Sequence, residues 1–277
     1  MMVGKSWISK GLTHLVLLIG VVISVFPFYW LAVMSTNTTS QILHFPPKLI
    51  FGNQLWINLK HVFANIDFLQ GFTNTLIVAV ISVVGTLFFC SLAGFTFAKF
   101  KFPGRNFLFV SLLITMMIPS QISFIPSFIV MAKIGWVNSY QSLIVPGLAN
   151  AFGIFWIRQY CDGSVPDELL EAGRLDGCNQ FRLYWNIAIP ILRPALAFLG
   201  IFTFIGVYND YLWPLVVINN PDRFTLQVVL SQLNGIYNTD YGMVMAGTLL
   251  ATVPLIIIFF IFSRNFISGI ADGAVKD

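Results

Sequence analysis

The sequence predicts an all-α integral membrane protein of six transmembrane helices. Of its 277 residues, 57% are hydrophobic and only 9% charged, where a soluble domain carries roughly a quarter charged residues. Mean hydropathy is +0.82. Six apolar runs are long enough to cross about 30 Å of hydrocarbon. Backbone groups in lipid must be satisfied within the segment, so these runs are helices. No ten-residue alternation of the kind a barrel needs is present.

The first run, Leu12–Met34, follows Lys5 and Lys10. It outruns a signal-peptide core and lacks a small-x-small cleavage site, so an uncleaved span is expected. A long connection, Ser35–Phe72, carries Pro46-Pro47, Phe51 and Trp56. The second and third spans are Thr73–Ala98 and Phe107–Met131, the latter followed by a short turn at Gly135-Trp136. The fourth is Ser142–Tyr160, and a polar loop over residues 161–193 leads to the fifth, Pro194–Ile218. A second long connection, Asn219–Tyr241, precedes the sixth span, Gly242–Phe262. The whole chain, 1–277, reads as one transmembrane domain. Pro27, Pro119, Pro126, Pro146, Pro214 and Pro254 fall in five of the six spans and predict kinks. Pro119 and Pro126, seven apart, fall on nearly one face of span three.

Net charge is +4, but in a membrane the placement of the basic residues matters more than their sum. With the N-terminus inside, eleven Lys and Arg fall on the inner face: Lys5, Lys10, Lys99, Lys101, Arg105, Arg158, Arg174, Arg182, Arg193, Arg264 and Lys276. Four fall outside: Lys48, Lys60, Lys133 and Arg223. The positive-inside rule therefore puts both termini, and the polar loop, in the cytoplasm. The long outer connections suit contact with an extracytoplasmic partner or simply cap the helices.

The polar loop is the most informative segment. Ser164-Val165-Pro166-Asp167 reads as a helix start, with a capping Ser and Pro in the first turn. Leu169, Ala172, Leu175 and Cys178 recur every third residue as an apolar stripe. Ala172, Gly173 and Gly177 are small enough to let another backbone approach. Glu171 and Arg174 are one turn apart and placed to pair. Asp176-Gly177 is a natural stop, because Gly accepts the left-handed conformation that ends a helix. A second helical segment, Phe181–Ile189, follows, and Pro190 and Pro194 mark re-entry into span five. The expected result is a lever of two short helices along the membrane, rigidly joined to a span. An amphipathic interfacial helix is the alternative. It would favour bulky apolar anchors and a Lys-rich polar face rather than small residues and carboxylates.

These residues resemble a known motif. Glu171-Ala172-Gly173, Asp176-Gly177, Phe181, Ile187, Ile189-Pro190 and Pro194 are similar to the EAA loop of bacterial ABC importer permeases. Gly173 stands for the second Ala, Cys178 for a common Ala and Ile189 for Leu. Met116-Met117-Ile118-Pro119 with Ile125-Pro126, Asn209 through Leu215, and Gly273-Ala274-Val275-Lys276 resemble the carbohydrate-uptake branch, in the six-span permease of maltose and multiple-sugar importers. The resemblance implies a type I importer permease in a bacterial inner membrane. It implies a second homologous permease, two ATP-binding cassette subunits, an extracytoplasmic sugar-binding protein and a sugar substrate. Glu171, Ala172, Gly173, Leu175, Asp176 and Gly177 would dock into the ATPase, whose ATP-driven closure would move the spans. The tail Gly269–Asp277 either reaches the ATPase or frays.

No catalytic constellation is present. Gly4-Lys5-Ser6 has no Gly five residues upstream and no preceding strand, so it is no phosphate-binding loop. Cys90, Cys161 and Cys178, like His14, His44 and His61, lack metal-ligand spacing. Neither cofactor, metal nor nucleic acid is expected. Asp210 is the only carboxylate well inside a predicted span, and intramembrane ionisable groups usually face a cavity. With Asn209, Tyr211 and Trp213 it suits a saccharide path. Alternatively Asn209 and Asp210 bond neighbouring helices while the aromatics form an interfacial belt. An ion-coupled transporter would need mid-membrane carboxylates and usually an inverted repeat, and neither is visible. A permease for a non-sugar solute would share the loop.

Overall fold

The computed structural model describes residues 3–235 and 239–274, with side chains over 10–235 and 239–261. Among the described residues every regular element is helical. Five helices are long and apolar enough to cross a membrane, and a sharply bent pair makes a sixth span. The chain divides into two compact units, Met1–Phe68 with Leu230–Val253, and Leu69–Val229 with Pro254–Asp277.

The first unit begins with the helix Val3–Ser35, whose stretch Lys10–Ser35 is the first span and is almost wholly unburied within the chain. Its end is tied down by polar groups. Asn58, on the helix Leu55–Asn65, donates to the carbonyls of Ser35 at 2.8 Å and Asn37 at 3.1 Å. Thr38 caps the single turn Thr39–Ile42 in a reciprocal box with Gln41. The last helix, Tyr241–Ala274, starts in this unit. Asp240 caps it, accepting from the backbone N–H of Gly242 at 3.0 Å and of Met243 at 3.3 Å. The same carboxylate accepts from the Thr39 hydroxyl at 2.9 Å and lies 3.6 Å from His61 Nδ1. Of the tail, the final three residues, with Val275-Lys276 of the terminal motif, lie outside the described residues.

The second unit holds the other spans. Phe68–Lys99 is a single helix that brackets the predicted second span. Span three, expected as one helix over Phe107–Met131, is broken into Arg105–Met116 and Ser120–Lys133, which meet at 97°. Pro119 is the cause. It has no N–H to give the helix, and its own backbone is extended, with φ −57° and ψ 127°. Pro126 makes no kink, because it sits in the first turn of the helix Phe124–Lys133, where N–H groups lack partners anyway.

Span four runs over Tyr140–Ser164 and is interrupted before Asn150, whose side chain caps Ala151–Ser164 by accepting from the Gly153 N–H at 2.7 Å. Gly153 also lets spans two and four touch: a Cβ there would stand 2.8 Å from Cys90 Sγ. Span five is longer at its start and shorter at its end than the predicted Pro194–Ile218. It runs over Gln180–Tyr208, breaks, and resumes as Leu212–Val217. The separate helix expected over Phe181–Ile189 is the head of this span, and Pro190 and Pro194 lie within it. Residues Leu183–Ala188 form a π-helix, a wider turn just ahead of Pro190. Spans two, four and five share the core of this unit. Cys90, Phe95, Ile157, Cys161, Tyr184, Leu192 and Leu199 are buried in it. The Trp156 indole donates to the Ala195 carbonyl at 3.0 Å, and the Ser91 and Tyr184 hydroxyls meet at 2.7 Å.

Candidate functional site

The polar loop folds as a nine-residue helix, Asp167–Leu175. Its start differs from expectation: Ser164 is the last residue of the preceding helix, and Pro166 occupies the cap position without a side-chain bond. Instead, Asp167 and Glu168 place negative charge in the first turn, where the helix dipole favours it. The stop is as expected. Gly177 has φ +80°, Cys178 N–H reaches the Gly173 carbonyl at 2.9 Å, and Gly177 N–H reaches that of Arg174 at 3.0 Å. These two bonds are a Schellman closure.

The apolar stripe is not the buried face. Leu170 and Gly173 are buried, while Leu169, Ala172 and Leu175 face outward, Leu175 being 90% exposed. Glu171 is exposed as well, and no ion pair joins it to Arg174 among the described residues. So the helix is held by one narrow side and presents Glu171, Ala172 and Leu175 outward.

Three attachments hold it within the unit. Val165, buried, continues span four directly into it. Gly173 lies so close to the π-helical head of span five that a Cβ would stand 2.6 Å from Leu183 Cδ2 and 2.8 Å from Ile187 Cδ1. The third attachment is electrostatic: the Lys99 ammonium, at the end of span two, donates to Asp167 Oδ1 at 2.8 Å. That hydrogen bond and its charge hold the Asp167 carboxyl below the usual carboxylate range. In the sequence Lys99 counts only as one of the inner-face basic residues, since nothing in the pattern links positions 68 residues apart.

The second candidate lies at the two breaks. A cavity of about 790 Å³ opens in the crook of broken span three, against the break in span five. Thr115, Ser120, Ser123 and Ser127 line it from the two arms, with Asp210 and Trp213 opposite. Of the four predicted path residues the structure thus brings Asp210 and Trp213 to one cavity. Asn209 and Tyr211 are not in its lining. Asp210 sits in the break rather than inside a helix. Among the described residues neither Asn209 nor Asp210 bonds a neighbouring helix: Asn209 donates to the Ile205 carbonyl at 3.0 Å, and Asp210 accepts a long 3.5 Å bond from Trp213 N–H. Trp213 makes the inter-helix bond, its indole N–H donating to the Ser142 carbonyl at 2.9 Å. The serines were missed because hydroxyls in an apolar run read as ordinary helix residues until Pro119 turns the second arm aside. Among the described residues no group of His, Cys, Asp or Glu is arranged to hold a metal ion.

The chain is similar to known proteins over most of its length. Residues 90–272 match the family described as "Binding-protein-dependent transport system inner membrane component". The lactose transport system permease protein LacG of Rhizobium radiobacter is 36% identical over 94% of each chain. The arabinooligosaccharides transport system permease protein AraQ of Halalkalibacterium halodurans is 35% identical over 92% of each. The sn-glycerol-3-phosphate transport system permease protein UgpE of Yersinia pestis is 31% identical over 94% of this chain and 95% of its own. The fold is similar to that of a chain in the crystal structure of a bacterial ABC transporter involved in the import of the acidic polysaccharide alginate. That match has a TM-score of 0.81 at 22% identity and covers 95% and 98% of the two chains.

Proposed function

We infer the function of this chain from its family: it belongs to the binding-protein-dependent transport system inner membrane components, and it is a permease subunit of an ABC importer. A permease is a membrane component without catalysis of its own, so its work is to form a path and to be moved. Acting as one domain over residues 1–277, it carries sugar in our reading, supported by relatives that carry lactose and arabinooligosaccharides. The non-sugar alternative stays open through UgpE, a relative named for glycerol phosphate.

The observation that carries the reading is the nine-residue helix attached to three spans by one narrow side. Such a helix is unnecessary for a passive membrane scaffold. It suits a part that is gripped from outside and transmits the movement. Glu171, Ala172, Leu175, Asp176 and Gly177 form the grip, and Gly173 is its buried seat against span five: the carboxylates and small residues meet a cleft on a partner ATPase, and Gly177 sets where the helix ends. ATP-driven closure of two cassette subunits shifts the helix, and with it spans two, four and five. This chain and a homologous second permease form the path, and an extracytoplasmic sugar-binding protein delivers to it. Asp210 and Trp213 are this chain's candidates for contact with the passing sugar, with Asn209 and Tyr211 beside them. The loop and both termini face the cytoplasm of a bacterial cell in this reading, which the distribution of basic residues supports.

The test is a tagged pull-down from detergent-solubilised membranes, compared with Gly177→Asp. Recovery of a second permease and an ATPase with the wild type, and loss of the ATPase with the variant, is the expected result. A lone chain that transports in vesicles without ATP would overturn the reading.

A further inference from the structure

Resting on the importer reading, we propose that the cavity at the two breaks selects neutral, polyhydroxylated solutes and turns away anionic ones. Its chemistry is one-sided. Asp210 is the single ionisable side chain of the lining, and no Lys, Arg or His joins it. The other polar groups are hydroxyls. Those of Ser123 and Ser127 bond no protein group among the described residues, and Ser120 makes only a long 3.4 Å bond to its neighbour Gln121. Thr115 donates to the Leu112 carbonyl at 2.6 Å and keeps its lone pairs for an incoming donor. Asp210 is likewise under-used, since its one side-chain bond among the described residues is the 3.5 Å contact from Trp213 N–H.

A sugar supplies what these groups lack. Its hydroxyls both donate and accept, so they can bond Asp210 and the free serines together. The Trp213 ring, also in the lining, is held by its bond to Ser142 and by Phe124 at 5.9 Å, and with Phe124 it gives the cavity an aromatic wall for a pyranose or furanose ring. A phosphate or carboxylate on the solute meets the reverse situation. It would lose its hydration beside a carboxylate to which this chain's lining adds no cation.

The experiment uses the full-length chain with its partner subunits in membrane vesicles, as Ser123→Cys with Cys178→Ser. The other two thiols, Cys90 and Cys161, are buried. The thiol at 123 is labelled with cationic and anionic methanethiosulfonates of similar size. Relative to a free thiol, the cationic reagent should be favoured about tenfold, as single-sign clefts concentrate counter-ions. Adding Asp210→Asn should remove most of that advantage. Lactose should protect the thiol, and glucose 6-phosphate at equal concentration should not. A preference unmoved by Asp210→Asn, protection by neither sugar, or equal protection by the phosphorylated one overturns the proposal. Sugar uptake in the same vesicles reads the importer function separately, because absent uptake with intact labelling selectivity refutes that reading and leaves this one standing.

Discussion

Lys99 and Asp167 form an ion pair whose two ends live in different surroundings: the lysine side chain is 6% exposed and the aspartate 74%. The lysine therefore depends on the aspartate far more than the reverse. Asp167→Asn leaves a nearly buried ammonium without its counter-charge, whereas Asp167→Glu keeps it. We expect amide exchange over 167–175 to rise several-fold in the first variant and to stay near wild type in the second. In the assembled importer the first should also lower sugar taken up per ATP hydrolysed. Unchanged exchange in Asp167→Asn would refute the attachment.

The same pair sets a pH dependence. The Asp167 carboxyl is lowered in the folded chain, so its contribution is complete above its ordinary value near 4 and is lost as pH falls through the lowered one. Asp240 behaves alike. Partial burial pushes its carboxyl up, but bonds from Thr39, the Met243 N–H, His61 and the Gly242 N–H outweigh this and hold it low. Acidification from pH 6 to 3 should therefore loosen both helix starts, 167–175 and 241 onward, in exchange measurements. Asp240→Ala should cost about 1 kcal/mol and abolish the second effect alone.

Gly173 tests the seat of the docking helix. A methyl there meets only the ends of two side chains, Leu183 and Ile187. Gly173→Ala gains helix propensity worth up to about 1 kcal/mol against a small displacement, so thermal stability should change little. Gly173→Leu should overpack the contact and cost about 1–3 kcal/mol, seen as a lower unfolding midpoint.

Gly177 tests conformation rather than space. Nothing lies within 4 Å of a Cβ built there, yet its φ is +80°. Gly177→Ala should cost roughly 1–2 kcal/mol from the left-handed backbone alone. Gly177→Asn should cost less, and the ranking of their unfolding midpoints checks the origin of the effect.

Trp213→Phe removes the indole donor and leaves the Ser142 carbonyl unpaired, at a cost of about 1–3 kcal/mol in thermal stability. If Trp213 also orients solute, uptake should fall further than that loss explains, and residual uptake at matched temperature margin separates the two.

Much of this was legible beforehand because the membrane and the left-handed backbone leave few choices. An apolar run of spanning length must be a helix, and Gly177 after Asp176 is a stop in sequence and structure alike. Legibility failed where the outcome depended on distant partners. Pro119 in a run reads as a kink, and only the structure shows a 97° break that turns Ser123 and Ser127 toward Asp210. The stripe through Leu169, Ala172 and Leu175 was visible, but periodicity does not say which face is buried, and the small Gly173 took that place. Lys99 and Asp240 are single polar residues whose meaning comes from Asp167 and Thr39, each far along the chain.

The π-helix over Leu183–Ala188 has a consequence for counting. One surplus residue in a turn rotates everything beyond it by about 100° relative to a plain α-helix. Leu183 and Ile187, which seat Gly173, fall inside that widened turn, while Trp156's partner Ala195 lies past it. Deleting one residue here, with no change in chemistry, would let the helix close to ordinary pitch and swing the gripped end out of phase with the span above. The segment is thus a vernier: a single residue sets the angle between the part that is pushed and the part that moves.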